Sequence, residues 1–199
     1  MKQVRLDTYE TLDLSEIPGT VGAILTDGAR DRRGVAHTPT VASVGADGAP
    51  AIRTVVLRDC DWPERLLRFH TDRRSPKVTD YSTNPEVAFH LYDAERKLQL
   101  RLHGQARIET AGPLFDLAWK MTQKMSRECY QMTVAPGAAV PDPGAVPYDA
   151  AGSAEGRRNF AIVLTRIERF DWLYLSASDH RRARFEWQQG QWSGGWCAP

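Results

Sequence analysis

The sequence predicts an α+β protein that is mainly β, with antiparallel strands arranged as a barrel or sandwich. Many short apolar segments are separated by turn residues, a spacing typical of antiparallel sheets. Residues 97–108 alternate strictly between apolar and polar positions, as a strand with one buried face does. A length of 199 residues is expected to form one domain spanning residues 1–199.

Apolar residues at helical spacing predict a leading helix over residues 14–32. Strand-like segments and turn residues then alternate along the chain. We predict strands over residues 40–44, 51–58, 66–70, 86–92, 97–108, 160–164 and 167–175, and a closing hairpin of residues 184–187 and 191–196.

Two further helices are expected to start at Pro76 and near Pro113, because proline is favoured in the first turn of a helix. Apolar spacing predicts that one stripe of the later helix is buried. This stripe consists of Leu114, Leu117, Met121, Met125 and Cys129. Residues 134–158 are rich in Ala, Gly and Pro and are predicted to form a loop, which we interpret as a mobile flap.

Composition argues against several classes of protein. The net charge of +1 gives no global attraction to nucleic acid or membranes, and no run is long and apolar enough to span a bilayer. Three cysteines lack the spacing of a metal site or a disulfide framework, and no nucleophile elbow or Walker loop is present. We therefore expect a cytoplasmic protein without a metal, a nucleic-acid partner or a membrane partner.

Two arginines bracket the apolar segment 53–58, and guanidinium groups bind phosphate oxygens well. A regular strand would place Arg53 and Arg58 on opposite faces, so a bulge, a strand end or the length of the cofactor is needed if both are to contact one anion. Two solvated arginines are the alternative interpretation.

Ser75, Pro76 and Lys77 form a helix start in which Ser75 is a favourable N-cap. Helix N-termini attract anions, and Arg73 and Arg74 add positive charge, so this segment predicts a phosphate site. An ordinary capped helix with solvated charges is the alternative. The polar face of residues 97–108 meets water by default, or a polar ligand or partner in an oligomer.

In this order and spacing, these motifs resemble the pyridoxamine 5'-phosphate oxidase-like flavoproteins from about residue 40 to the C-terminus. The resemblance implies a six-stranded-type antiparallel split β-barrel, homodimeric, with two FMN molecules at the subunit interface. The matching segments are residues 53–58 and 70–77, Asn84-Pro85, Gln99 with Gly104, and Trp172 with Arg184-Phe185.

The resemblance also implies a role for each matching position. FMN phosphate and ribityl contacts are expected from Arg53, Arg58, Ser75 and Lys77, with Arg74 as an addition. Contacts to the isoalloxazine are expected from the backbone of Thr54, Val55, Val56 and Leu57, from His70 and Thr71, from Gln99, and from Trp172 and Arg184 of the second subunit.

The chain departs from the family's oxidases at the substrate side. Those enzymes offer Tyr, Arg and Ser from a helix to the substrate phosphate, whereas Leu117, Met121 and Met125 occupy these positions here. Their C-terminal Arg-x-His-x-Arg signature appears as residues 180–184 with its first two functional positions exchanged. We therefore do not expect oxidation of pyridoxamine phosphate. Arg182 and His180 are candidates for holding a different anionic or carbonyl-bearing substrate, with a solvated basic turn as the alternative.

The leading hypothesis is thus an FMN-dependent oxidoreductase acting on a small organic substrate, because flavin supplies the redox chemistry and the protein binds and orients it. A flavin-binding protein without turnover and a reductase that uses F420 are alternatives. A small barrel that binds single-stranded nucleic acid is a third hypothesis, although the charge balance does not favour it.

Overall fold

The computed structural model describes residues 9–145, 153–177 and 179–199, in which nine strands form one antiparallel sheet. The mainly β, antiparallel prediction is therefore confirmed. The helices are α1 (Ile17–Arg30), α2 (Pro76–Thr83), α3 (Pro113–Met121), α4 (Lys124–Glu128) and α5 (Ser153–Asn159), with 3-10 turns at Leu14–Glu16, Val35–His37 and Pro143–Ala145. The strands are β1 (Thr40–Val44), β2 (Pro50–Thr54), β3 (Leu57–Asp61), β4 (Leu66–Asp72), β5 (Glu86–Asp93), β6 (Leu98–Glu109), β7 (Phe160–Tyr174), β8 (Arg181–Gln188) and β9 (Gln191–Cys197).

The strand order forces the sheet to curl. Seven strands run in the order β2-β1-β5-β6-β7-β4-β3, and β8 pairs with β7 and β9. Strands β2 and β3 are the two ends of this order, yet only Val55 and Val56 separate them in the chain. The two edges must therefore lie close together, which produces an open barrel. At the seam, the Val55 N–H donates to the Pro39 carbonyl oxygen at 3.0 Å.

This seam corrects the predicted strand 51–58. The segment is interrupted at Val55 and Val56, although both residues have high strand propensity. Curling of the sheet outweighs that local preference. As a result Arg53 and Arg58 lie on strands at opposite edges of the sheet rather than on one strand.

Strand β7 is one continuous element, whereas the sequence predicted two strands separated at residues 165 and 166. Its pairing with β6 skips Glu168 opposite His103 and Gly104, which is a β-bulge. At this point the backbones approach so closely that a Cβ on Gly104 would overlap the Arg166 carbonyl oxygen. Position 104 therefore requires glycine.

A small second core explains why the first half of β7 is buried on both faces. Helix α3 covers the outer face of β7, and the residues packed between them are Phe115, Ala118, Trp119, Phe160, Ile162 and Leu164. The main core lies on the other face of the sheet.

The predicted buried stripe of the helix after Pro113 is wrong for four of its five members, and only Leu114 packs against the second core. Leu117, Met121 and Met125 are 54%, 74% and 79% exposed, and Cys129 is also exposed. Helix α3 ends at Met121, since Thr122 and Gln123 are extended before α4 begins. The apolar spacing therefore continues across a break in the helix, and the face that packs on the sheet is that of Phe115 and Trp119.

The predicted loop over residues 134–158 is correct only for its first part. Residues 134–145 form turns and a short 3-10 segment, whereas helix α5 begins at Ser153. Residues 146–152 lie outside the described residues. Among the helices that the structure describes, none combines the length and the apolar character needed to cross a membrane.

Candidate functional site

A buried group of hydroxyls and cations lies where β4 turns into α2, facing β2. We call it the lysine cluster. Its members are Arg53, Thr71, Ser75 and Lys77. The Lys77 ammonium donates to Ser75 Oγ at 2.8 Å and to Thr71 Oγ1 at 3.3 Å. Ser75 precedes α2 in an extended conformation and its side chain makes no capping hydrogen bond, so the hydroxyl serves Lys77 instead.

Strand β2 brings Arg53 to the same cluster, near Lys77. The Arg53 guanidinium donates to Ser43 Oγ at 2.6 Å and reaches the Asp80 carboxylate at 3.4 Å, with 20% of its side chain exposed. Burial, together with neighbouring Arg53, lowers the pKa of the Lys77 ammonium. The cluster thus holds two cations in a partly desolvated place.

The lysine cluster fits a phosphate group. Within the described residues, Lys77 contacts hydroxyl oxygens and has no carboxylate at ion-pair distance. The Asp72 and Asp80 carboxylates offset the charge of Lys77 only in part, because burial and Arg53 still lower its pKa, and an incoming phosphate would add negative charge and strong charge-assisted hydrogen bonds. The residues present therefore suit the phosphate end of FMN.

Arg74, predicted as an addition to this group, points elsewhere. Its guanidinium donates to both carboxylate oxygens of Asp72, at 3.0 and 2.7 Å, and to the Met132 carbonyl oxygen at 2.9 Å. These contacts tie the turn before α2 to the segment after α4. Arg74 therefore has a structural role in this arrangement.

Arg58 is separated from the lysine cluster and lines a cavity of about 370 Å³ between the helices α3 and α4 and the strands β3 and β4. We call it the α3–α4 cavity. Its lining consists of Arg32, His37, Val56, Arg58, Arg68, His70, Ala118, Met121, Thr122, Gln123, Met125 and Ser126. The two arginines therefore do not meet at one point, and the prediction that Arg53 and Arg58 contact the phosphate and ribityl chain of one FMN requires the length of the cofactor to join the two places.

His70 connects the two places along β4, since it lines the cavity while its neighbour Thr71 joins the lysine cluster. Burial, reinforced by Arg58 and Arg68, lowers the pKa of His70 to about 3, so the ring is neutral at physiological pH. His70 Nε2, Arg68 Nε and Arg68 Nη1 are buried and have no hydrogen-bond partner among the described residues. Such atoms normally have a partner, so the cavity has unused polar capacity.

A second group of charges lies on the polar face of β6, β7 and β8. We call it the arginine cluster. Its members are Arg101, Asp171, Arg182 and Arg184. The Asp171 carboxylate accepts from Arg101 at 2.8 Å, from Arg182 at 2.8 Å and from Arg184 at 3.1 Å. Burial alone would raise the pKa of Asp171, but hydrogen bonds from Arg182 and Arg184 outweigh it, and the pKa is lowered.

The four predicted substrate and interface residues lie in different places. Arg182 lies in the arginine cluster and Arg184 at its exposed edge, whereas His180 is exposed and precedes β8. Trp172 is fully buried and packs edge-on against Tyr9. Its indole therefore belongs to this chain's own core in the described structure.

The remaining predicted contacts are distributed along the barrel. Gln99 is half-buried on β6, where its Oε1 is 3.4 Å from His90 Nε2. Thr54 ends β2 and is exposed, Val56 lines the α3–α4 cavity, and Leu57 is fully buried.

Sequence reasoning missed several members of these groups. Ser43, Asp80 and Asp171 hold the predicted arginines in place, and Arg68 adds unpartnered nitrogens to the cavity. Alternation in β1 and β4 marks Ser43 and Arg68 as polar positions beside apolar ones, which is the only local signal. Their partners come from distant segments.

Comparison with known proteins gives one matching family. Residues 23–110 match the family model described as pyridoxamine 5'-phosphate oxidase, FMN-binding domain. A pyridoxine/pyridoxamine 5'-phosphate oxidase from Burkholderia vietnamiensis is 41% identical over 73 residues, which are 37% of this chain and 32% of the relative. A pyridoxine/pyridoxamine 5'-phosphate oxidase from Thermosynechococcus vestitus is 35% identical over 80 residues, which are 40% of this chain and 37% of the relative. The chain thus spans about a third of the length of these curated relatives.

Two solved structures resemble nearly the whole chain. A pyridoxamine 5'-phosphate oxidase-related, FMN-binding protein from Nostoc punctiforme has a TM-score of 0.73 at 22% identity and covers 94% of this chain and 100% of its own. PhzG from Burkholderia lata, in complex with tetrahydrophenazine-1-carboxylic acid, has a TM-score of 0.72 at 18% identity. The match covers 100% of this chain and 99% of PhzG. At these identities the likeness concerns the fold, and the split-barrel prediction is confirmed.

Proposed function

We propose that the chain is an FMN-dependent oxidoreductase acting on a small organic substrate, and the match of residues 23–110 to the FMN-binding domain of pyridoxamine 5'-phosphate oxidase supports this. The lysine cluster is the observation that carries the proposal. Among the described residues, the half-buried Lys77 donates hydrogen bonds to hydroxyl oxygens only, and a phosphate ester is an anion that would complete the group. When bound, FMN supplies the hydride and electron transfer, so the chain needs no nucleophile of its own.

In this proposal, Arg53, Lys77 and the Ser75 and Thr71 hydroxyls bind the phosphate. The backbone near Thr54 and Val55 at the barrel seam lies next to this group and would flank the remainder of the cofactor. Gln99 offers an amide to the polar edge of the isoalloxazine. Arg58 and His70 belong to the α3–α4 cavity, where we assign them to the substrate side rather than to the phosphate.

We also propose a homodimer that shares its flavin sites. The polar face of β6 and β8 carries Gln99, Arg101 and Arg184 on the outside of the barrel, and a cavity of about 300 Å³ opens beside Arg184. This face can meet the flavin of a second subunit without any change in the core. Trp172 supports the face from behind, through its packing in the core, rather than by contact of its indole.

The direct test is the cofactor itself. The purified protein is expected to show a flavin absorbance spectrum, and the released compound is expected to have the mass of FMN. Anaerobic addition of NADH or NADPH, followed by oxygen, then measures reduction and reoxidation of the flavin. Bound FMN that no donor or substrate reduces would favour a flavin-binding protein without turnover, and release of F420 would replace FMN as the cofactor.

The shared site is tested by exchanging subunits between two inactive variants. Arg53→Ala removes a phosphate contact, and Arg184→Ala removes the contact proposed to come from the other subunit. In mixed dimers, one site contains both substitutions and the other contains neither, so about half of the activity of a native dimer should return. Exchanged dimers that stay inactive would contradict sharing.

A further inference from the structure

The α3–α4 cavity has an apolar wall that no part of the described structure covers. Met121 and Met125 line it, and they are 74% and 79% exposed, more than any other large hydrophobic side chain in the described residues. Thioether side chains adapt to flat rings and make favourable sulfur–aromatic contacts. This wall therefore suits a planar apolar body.

The opposite wall is polar and lies on one face of β4. Arg68 and His70 both point to this side of the strand, and both keep buried nitrogen atoms without partners. The Asp59 carboxylate already compensates Arg68, at 3.1 Å from its Nη2. The two unpartnered Arg68 nitrogens lack a hydrogen-bond acceptor rather than a second negative charge.

The mouth of the cavity is weakly positive. Exposed Arg32 and Arg58 line it, and no carboxylate side chain does. Solvent screens these two guanidinium groups, so they favour one negative charge without being able to neutralise a buried dianion. The lysine cluster, with its half-buried Lys77, is the better place for a phosphate.

From these walls we infer that the cavity binds a fused-ring aromatic carboxylate, with its rings on Met121 and Met125 and its carboxylate toward Arg68 and Arg58. The inference rests on the proposed function, because such an acid would be the substrate, product or competitive ligand of the FMN site. A volume of about 370 Å³ is within the range of small-molecule sites. A phosphorylated pyridine would fit less well, because its phosphate needs hydrogen-bond donors and the Met121 and Met125 thioethers on this wall donate none.

The test is calorimetric titration of the FMN-loaded protein with three probes: phenazine-1-carboxylate, uncharged phenazine and pyridoxal 5'-phosphate. We expect the acid to bind at least tenfold more tightly than either of the others. Equal affinity for the acid and for phenazine would overturn the carboxylate contact, and tighter binding of pyridoxal 5'-phosphate would overturn the substrate class.

A pair of variants tests the apolar wall. The double variant Met121→Gln/Met125→Gln changes two exposed side chains, so folding should be retained, and it should weaken binding of the acid about tenfold because apolar contact area is lost. Leu117→Gln is the matched control: Leu117 lies on α3 with Met121 and is 54% exposed, but it does not line the cavity. Unchanged affinity in the double variant would refute this wall as the binding surface.

Flavin absorbance distinguishes a failure of FMN binding from a failure of acid binding in the α3–α4 cavity. Retention of FMN by the double variant, with weakened binding of the acid, supports both the proposed function and the inference. A native protein that holds no FMN would end the proposed function. The same titration of that FMN-free protein would still decide whether the cavity takes the acid.

Discussion

The lysine cluster and the arginine cluster use similar side chains in opposite ways. In the arginine cluster, three guanidinium groups share the Asp171 carboxylate, and the charge that remains is on Arg101 and Arg184 at the exposed edge. In the lysine cluster, the half-buried Lys77 ammonium has hydroxyl partners only. One group is therefore satisfied within the chain, whereas we propose that the other is completed by an anion from outside.

The difference shows that a basic residue in a motif does not by itself mark a ligand contact. Arg74 and Lys77 belong to the same short segment, yet Arg74 is engaged by Asp72 and Lys77 is not engaged by any carboxylate of the described residues. The partner of each cation decides its role. Substitutions should therefore affect ligand affinity in one cluster and stability in the other.

The largest expected effect is on FMN affinity in Lys77→Met. Loss of a charge-assisted hydrogen bond to phosphate, about 1.5–3 kcal/mol, should weaken FMN binding by roughly tenfold to a hundredfold. The free energy of unfolding of the FMN-free protein should not fall, because burial already disfavours the charged ammonium, as its lowered pKa shows. Fluorescence titration of FMN and denaturant unfolding measure the two quantities.

Arg73→Met is the matched control for that variant, since Arg73 lies on the same turn and is exposed. It should change neither FMN affinity nor stability. If Lys77→Met lost stability and kept its FMN affinity, the lysine cluster would be a structural group like the arginine cluster, and the comparison would fail.

The next effect is on stability in Asp171→Asn. Three arginines lose their shared carboxylate, which should lower the free energy of unfolding by about 1–2 kcal/mol at pH 7, since exposure of Arg101 and Arg184 limits the loss. The pKa of Asp171 is lowered in the folded state, so this contribution is present above pH 4 and is lost as the pH falls through the folded pKa. Denaturant unfolding at pH 7 and in acid measures the difference.

Asp179→Asn serves as the control, because Asp179 is exposed and lies near the start of β8. Its unfolding free energy should match that of the native chain. A similar loss in both variants would indicate a general effect of negative charge rather than the contacts of Asp171.

Local patterns in the sequence predicted the parts of the fold that depend on local physics. Alternation identified β6, the Ser75-Pro76 pair identified the start of α2, and the turn at Gln189 and Gly190 closes the predicted hairpin of β8 and β9. The interruption at Val55 and Val56 was not predictable from propensity. It results from closure of the barrel, which depends on strands far apart in the chain.

The candidate site was likewise predictable only where its residues are neighbours in the sequence. Ser75 and Lys77 lie two residues apart, so one motif reveals both. Arg58 shares a motif with Arg53 but lies on a different strand because of the seam, and Asp171 meets Arg101 only through the register of β6 and β7. The exposed methionines illustrate the reverse case, since their helical spacing predicted burial and the break after Met121 prevents it.

The last prediction concerns His70, which differs from both clusters because burial suppresses its charge and no partner pairs with it. The pKa is about 3 in the folded protein and 6.5 ordinarily, so between these values the unfolded chain binds a proton that the folded chain does not. The free energy of unfolding should therefore be highest above pH 6.5 and fall below it, by at most about 1.4 kcal/mol for each pH unit.

His70→Gln, which cannot titrate, should show a shallower decline in thermal stability between pH 7 and pH 5, whereas exposed His180→Gln should follow the native curve. Identical slopes in His70→Gln and the native chain would mean that His70 binds the same number of protons in the folded and the unfolded chain, and the wall of the α3–α4 cavity would then gain a positive charge as the pH falls below 6.5.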